Sequence, residues 1–312
     1  MDTVELGRTG LRVSVMGLGC GGHSRLGLAA AKGRQNAVAI VRRALDLGVN
    51  IIDTAESYGT EEAVGLALEG VPRDSVVIST KASSDWHGRL STGEEMRERV
   101  HACLRRLRTD FVDVFHLHAL AEPDYDYAVS ELVPALRSLR DEGKVRFLGI
   151  TERYGREPDH RTLVRALADP WFEVAMVGFS VINQSARARV LPETRRLGIG
   201  TLCMFAVRRA LSRTDALREV VALLVERGQA DADDFCADNP LGFLTDGPAS
   251  SIPEAAYRFA RWEPDLDVIL SGTGSIEHLE ENARSLMGPP LPEDTARRLR
   301  RILARADSVS GN

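Results

Sequence analysis

This sequence lacks an excess of basic charge. Lys plus Arg number 40 against 45 Asp plus Glu, a net charge of −5. That argues against nucleic acid or an anionic membrane as the main partner, because both call for a basic surface. Long apolar runs are missing too, so no transmembrane helix is expected. Met1-Asp2-Thr3-Val4-Glu5 lacks a basic start followed by an apolar stretch, so no signal peptide is expected. Cysteine is sparse and scattered, at Cys20, Cys103, Cys203 and Cys236, with no CxxC pair and no close Cys/His cluster. No metal site is therefore expected, and the pattern fits a reducing cytoplasm. There is no linker, no low-complexity tract and no repeat beyond a βα alternation.

What is present is core. Of 312 residues, 44% are hydrophobic and 27% charged, enough to build one large barrel domain over 1–312. Short apolar runs alternate with charge-rich amphipathic segments. The runs read as parallel strands buried on both faces. They fall at Val15–Gly19, Asn50–Asp53, Ser75–Thr80, Phe111–His118, Val145–Ile150, Val174–Val177, Gly200–Met204 and Asp267–Leu270. Helices are expected between them, as at Ala37–Leu47, Glu61–Leu68, Glu94–Leu107 and Val129–Glu142. Eight alternations predict an α/β fold, the (β/α)8 TIM barrel. A doubly wound open sheet is the alternative, but Gly17-Leu18-Gly19-Cys20-Gly21-Gly22 does not carry the GxGxxG spacing that would accompany it. Val4–Leu6 and Arg12–Ser14 around Gly7-Arg8-Thr9-Gly10 predict an N-terminal hairpin placed to plug the barrel floor. Arg208–Ser251 predicts a long loop after strand seven, with a helix over Asp215–Arg227 and an overhang above the active face.

Catalytic groups of a barrel collect at the C-terminal ends of its strands. Asp53 ends the second predicted strand, Tyr58 follows in the next loop, Lys81 ends the third and His118 the fourth. Singly, each has an ordinary structural reading: helix cap, packing, ion pair or core imidazole. Jointly, on consecutive strands, they define a pocket. A buried Lys81 needs the Asp53 carboxylate. Its ammonium favours the Tyr58 phenolate and lowers that pKa. Tyr58 can then exchange a proton with a carbonyl oxygen that His118 also hydrogen-bonds.

The run Asp53-Thr54-Ala55-Glu56-Ser57-Tyr58-Gly59 resembles the signature of the aldo-keto reductase family. So do Val77–Lys81, Asp110–His118, Leu139–Gly149 and Gly272–Asn282, and the resemblance spans about Leu6 to Leu303. It implies a barrel that binds NADPH, less often NADH, without a Rossmann fold, and acts on a small carbonyl or sugar. Of His116 and His118, which strand alternation puts on one side, the motif assigns the catalytic role to His118 and leaves His116 in the core or behind the site.

The resemblance also implies cofactor contacts, at Gly19, Cys20, Gly21 and Asp53. Thr151-Glu152 stand where Ser-Asn is usual, and Met176 where Gln is usual. Either Met204 or Phe205, ahead of Ala206, covers the nicotinamide. The loop Gly272-Thr273-Gly274-Ser275 and His278 stand where Lys or Arg often meets a 2′-phosphate, with Glu281 and Asn282 toward the adenine. NADP(H) is the family default and NAD(H) the alternative. An ordinary strand-to-helix turn capped by Ser275 is the structural reading of that loop. Substrate contacts are expected from Cys20–Leu28, Trp86, His87, His118 and the loop after it, and 208–251, with Tyr125 and Tyr127 as lid or surface. Arg208 and Arg209 are either a solvated face or phosphate ligands. The function expected is carbonyl–alcohol oxidoreduction, a sugar dehydrogenase included. A cofactor-binding regulatory barrel with little turnover and a Lys81 Schiff-base aldolase are the alternatives.

Overall fold

The computed structural model describes residues 1–30 and 33–312, apart from the Trp86 side chain. Eight parallel strands close into a barrel in chain order: β1 Met16–Gly19, β2 Ile51–Asp53, β3 Val77–Ser83, β4 Val112–Leu120, β5 Val145–Glu152, β6 Val174–Gly178, β7 Gly200–Met204 and β8 Val268–Ser271. Each expected run holds one strand. However, β3 and β4 run past the expected ends, so Lys81 and His118 lie inside strands rather than closing them. The helices around the barrel include α1 Gly33–Asp46, α2 Glu61–Ala67, α3 Gly93–Leu107, α4 Val133–Asp141, α5 Arg161–Ala166, α6 Leu191–Leu197, α7 Thr214–Glu226, α8 Ile252–Arg261, α9 Ile276–Met287 and α10 Glu293–Ile302. In α3 the expected start at Glu94 is set by a capping box: the Thr92 side chain accepts from the Glu95 N–H, and the Glu95 carboxylate accepts from the Thr92 N–H.

Two apolar layers hold the fold. The outer one lies between strands and helices and includes Leu18, Ile52, Ile78, Phe115 and Leu117. The inner one fills the barrel floor with Ile51, Val77, Val114, Val174, Leu202 and Val268. The hairpin Thr3–Glu5 with Arg12–Ser14 packs Leu6, Leu11 and Val13 into that floor, so the expected plug is present. Its turn presses on β7 so closely that a Cβ on Gly7 would lie 2.2 Å from the Gly200 nitrogen. Gly7 also has φ +48, so glycine is required there twice over.

The inner layer explains where the chemistry goes. Strand side chains alternate, so stepping up by two from each floor residue stays inside the barrel. Ile51 leads to Asp53, Val77 to Ser79 and Lys81, Val114 to His116 and His118, Val174 to Met176, and Leu202 to Met204. Apolar feet thus share their columns with polar heads on β2, β3 and β4 and with methionines on β6 and β7.

The long connection between β7 and β8 contains α7 close to its expected range. Among the described residues, Phe205, Val207, Arg208, Arg209, Ser212 and Tyr257 are its members that line the cleft. The irregular part packs toward the C-terminal helix instead, with Arg298 3.9 Å over the Phe243 ring and Arg301 2.8 Å from Asp234.

Candidate active site

The four expected residues meet at the top of the barrel. Asp53, the last residue of β2, pairs in register with Ser79 of β3. Lys81, two residues on, is fully buried and donates to Asp53 Oδ1 (2.6 Å), Asp53 Oδ2 (2.7 Å) and the Thr54 carbonyl (2.8 Å). Those three acceptors use all three ammonium protons. Burial opposes the Lys81 charge, but Asp53 and then Tyr58 more than offset it, so its pKa lies above the usual lysine value.

Tyr58 closes the short helical turn Glu56–Tyr58, which Gly59 ends at φ +69. Its ring centroid is 5.2 Å from Lys81 Nζ and 5.6 Å from the His118 ring, edge to face. A Cβ on Gly21 would meet that ring at 2.4 Å, so only glycine lets the loop after β1 lie against it. The depressed Tyr58 pKa expected from Lys81 does not emerge. Burial raises it more than Lys81 lowers it, and the net shift is upward. Tyr58 is therefore a phenol at neutral pH, poised to give a proton. His118 is held down to about 3, by burial first and then by Lys81, Arg99 and Arg153. It is a neutral imidazole, able to hydrogen-bond but not a cationic acid.

A cavity of about 360 Å³ opens beside Tyr58. Gly19, Gly21, Gly22, Asp53, Met176, Met204, Phe205, Arg208 and Gly272 are among its walls. Met204 and Phe205 both face it although they are chain neighbours. Phe205 has φ +69, which breaks the alternation. Arg208 lies 4.1 Å over the Phe205 ring and donates from Nε to Asn312 Oδ1 (2.7 Å). Cys20 is buried beside Asp53 and Lys81, and Ala206 is buried behind the wall.

The remaining expected cofactor residues divide. The Thr151 hydroxyl accepts from the Ala119 N–H (2.6 Å). Glu152 is committed elsewhere: its buried carboxylate pairs with His160 Nδ1 (2.9 Å) and accepts from the Gly178 N–H (2.8 Å). Tyr154 stacks on His160 and sets its ring edge-on to Phe205, so this pair buttresses the cavity wall from behind. Beyond β8, Gly272 and Gly274 crowd the loop after β1. A Cβ on the first would meet the Gly19 oxygen at 2.7 Å, and one on the second the Gly27 Cα at 2.9 Å. The Thr273 hydroxyl accepts from the Ser275 N–H. The Ser275 hydroxyl caps α9 by accepting from the His278 N–H (3.3 Å) and donates to Glu277 (2.5 Å). Asn282 donates to the Ser271 hydroxyl, while His278 and Glu281 are exposed. Trp86 sits in a small hairpin with Arg89, and its side chain lies outside the described residues. Tyr125 and Tyr127 are anchored to Asp169 and the Ser91 carbonyl.

Two features escaped the sequence reading. Ser79 donates to Asp53 (2.8 Å), and its signal was there, two residues before Lys81 in the same strand column. The other is Arg99 of α3, which grips Glu56 (2.6 Å), the first residue of the Tyr58 turn, along with the Ser83 carbonyl and the Ser91 hydroxyl. In a charge-rich helix nothing marks that arginine apart from its solvated neighbours.

A closed eight-strand barrel carrying polar heads around one cleft is an enzyme architecture. The aldo/keto reductase family model matches residues 16–304, and the chain belongs to that family. Its members are oxidoreductases that use nicotinamide cofactors and act on small carbonyl compounds. L-galactose dehydrogenase of Arabidopsis thaliana is 29% identical over 90% of this chain and 86% of its own length. An NADH-specific methylglyoxal reductase of Escherichia coli is 28% identical over 92% and 94%. The holo form of aldo-keto reductase AKR11C1 from Bacillus halodurans superposes with a TM-score of 0.72 at 23% identity, over 97% of this chain and 96% of that one. Among the described residues, no helix is long and apolar enough to cross a membrane.

Proposed function

We propose that this protein, working as one domain, interconverts a carbonyl and an alcohol by hydride transfer with NAD(P)(H), and that Tyr58 is the proton donor. The observation that carries this is the Tyr58 phenol, facing the cleft between neutral His118 and the buried Lys81–Asp53 pair. The cavity fits a nicotinamide: glycine backbone on one side allows close approach, and Met176, Met204 and Phe205 offer flat apolar contact. Bound there, the nicotinamide supplies or accepts the hydride. Tyr58 gives its proton to the carbonyl oxygen, and His118 hydrogen-bonds the same oxygen and orients it. Lys81 stays charged beneath them and steadies the phenolate that remains. The Schiff-base alternative is disfavoured, because its nucleophile is a neutral amine. Lys81 has a raised pKa and all three protons engaged. The substrate is a small aldehyde, ketone or sugar. Fluorescence titration with NADH and NADPH, followed by turnover of a panel of neutral carbonyls, tests this reading. Failure to bind either cofactor overturns it.

NADH is the cofactor we place first. A loop that selects a 2′-phosphate carries Arg or Lys, whereas a carboxylate suits the free ribose hydroxyl. Between Ser271 and Ala283 there is no Lys or Arg, Arg43 nearby is paired with Glu280 (2.7 Å), and the Ser275 hydroxyl is turned onto Glu277. Glu277→Arg is expected to tighten NADPH binding about tenfold while leaving NADH within about threefold, the size of one charge change near a surface. Direct titration of both cofactors checks it, and an unchanged NADPH affinity counts against this placement.

A further inference from the structure

His116 has no part in the proton transfer proposed above, yet it is a fully buried polar side chain directly under the site. Its Nε2 lies 3.0 Å from Ser79 Oγ, and Ser79 Oγ lies 2.8 Å from Asp53 Oδ1. The direction of this chain follows from the inventory of protons. A carboxylate only accepts, so the Ser79 hydroxyl hydrogen points to Asp53. Ser79 Oγ then accepts from His116, which must carry its hydrogen on Nε2. That leaves Nδ1 without a hydrogen; it is buried and makes no hydrogen bond of full geometry, while the Ile150 backbone acts on the ring. Space for the ring comes from Gly149 on β5, where a Cβ would lie 2.2 Å from Nδ1. Burial, then Lys81 and His118, keep the imidazole neutral, so it remains a one-proton donor. Ser79 is itself fully buried with its hydroxyl committed, so it is no nucleophile.

Resting on the reading of Tyr58 as proton donor, we infer that Ser79 and His116 are positioning residues. The chain His116 Nε2–H to Ser79 Oγ–H to Asp53 shares the carboxylate with Lys81 and so leaves more of the ammonium's field on Tyr58. The groups facing Tyr58 are Lys81, Asp53, Cys20 and Arg208, with His118 edge-on; those facing His116 are Lys81 and His118. Asp53 opposes Tyr58 ionisation and Lys81 favours it. Removing the Ser79 donor, or the His116 donor that polarises it, concentrates the charge of Asp53, and Tyr58 then ionises at higher pH.

The test is the pH profile of alcohol oxidation, together with an ultraviolet difference titration of the tyrosinate with the Tyr58→Phe trace subtracted. Ser79→Ala and His116→Leu are each expected to move the Tyr58 midpoint up by roughly half a unit to one unit, less than the full worth of a hydrogen bond to a charged group because the effect reaches Tyr58 only through Asp53. His116→Gln, which keeps a donor near Nε2, is expected to restore the wild-type midpoint. Cofactor affinity is expected to stay within about twofold in all three, since neither residue lines the cavity. Midpoints identical to wild type in Ser79→Ala and His116→Leu overturn the inference if Tyr58→Phe is inactive. Activity persisting in Tyr58→Phe overturns instead the reading beneath it.

Discussion

Tyr58→Phe is expected to lower turnover about 10²–10⁴-fold, the usual contribution of a positioned acid, while cofactor affinity changes little. The variant removes one oxygen and keeps the ring. The contacts that place the ring are therefore retained: the Gly21 backbone, the edge-to-face His118 ring and Lys81 at 5.2 Å. What is lost is the proton. Neither of its two neighbours replaces it at neutral pH: Lys81 is held in its charged form by Asp53, and His118 is neutral. The measurement is steady-state turnover of a neutral carbonyl beside a fluorescence titration of the cofactor. Wild-type activity in the variant would remove Tyr58 from the mechanism. A matching collapse of cofactor affinity would assign it to binding instead.

Lys81→Met is expected to damage stability as well as activity. Asp53 and Lys81 are both buried, and breaking such a pair strands a charge at a cost of about 3–5 kcal/mol. Melting temperature should fall on the order of 10 °C. The double variant Asp53→Asn with Lys81→Met removes the stranded charge. It should recover most of the lost stability, because replacing both partners of a buried pair is far milder than removing one. Activity should not return, since no cation remains to steady the Tyr58 phenolate. Thermal melts of the single and double variants, read beside turnover, separate the two roles. A single variant as stable as wild type would mean that Asp53 has found another partner. A double variant with wild-type activity would mean that the field of Lys81 plays no part.

Much of this molecule can be read from its amino-acid order. Eight apolar runs and the hairpin before them are local patterns, and burying both faces of a parallel strand leaves one fold that uses them all. The polar residues that break those runs near their ends are visible for the same reason. Asp53, Lys81, His116 and His118 interrupt segments that are otherwise largely apolar, and alternation places both histidines inside the barrel. The lengths of β3 and β4 were less legible, because Ala82-Ser83 and Ala119-Leu120 carry no turn signal.

What the tertiary structure decided are matters of partnership. The sign of the Tyr58 shift turns on burial against the pull of Lys81, two opposed effects whose balance depends on surroundings assembled from several strands and loops. Glu152 stands beside Thr151 in a suggestive pair, yet its carboxylate goes to His160 and the Gly178 N–H, because a buried charge takes the donors that the packed chain brings nearest. Arg99 reaches Glu56 across 43 residues, and Ser79 reaches His116 across 37. The sequence by itself thus determined the barrel and the residue types at its mouth, which follow from local periodicity. Which of those groups share a proton, and in which direction each pKa moves, was settled only when distant strands closed around them.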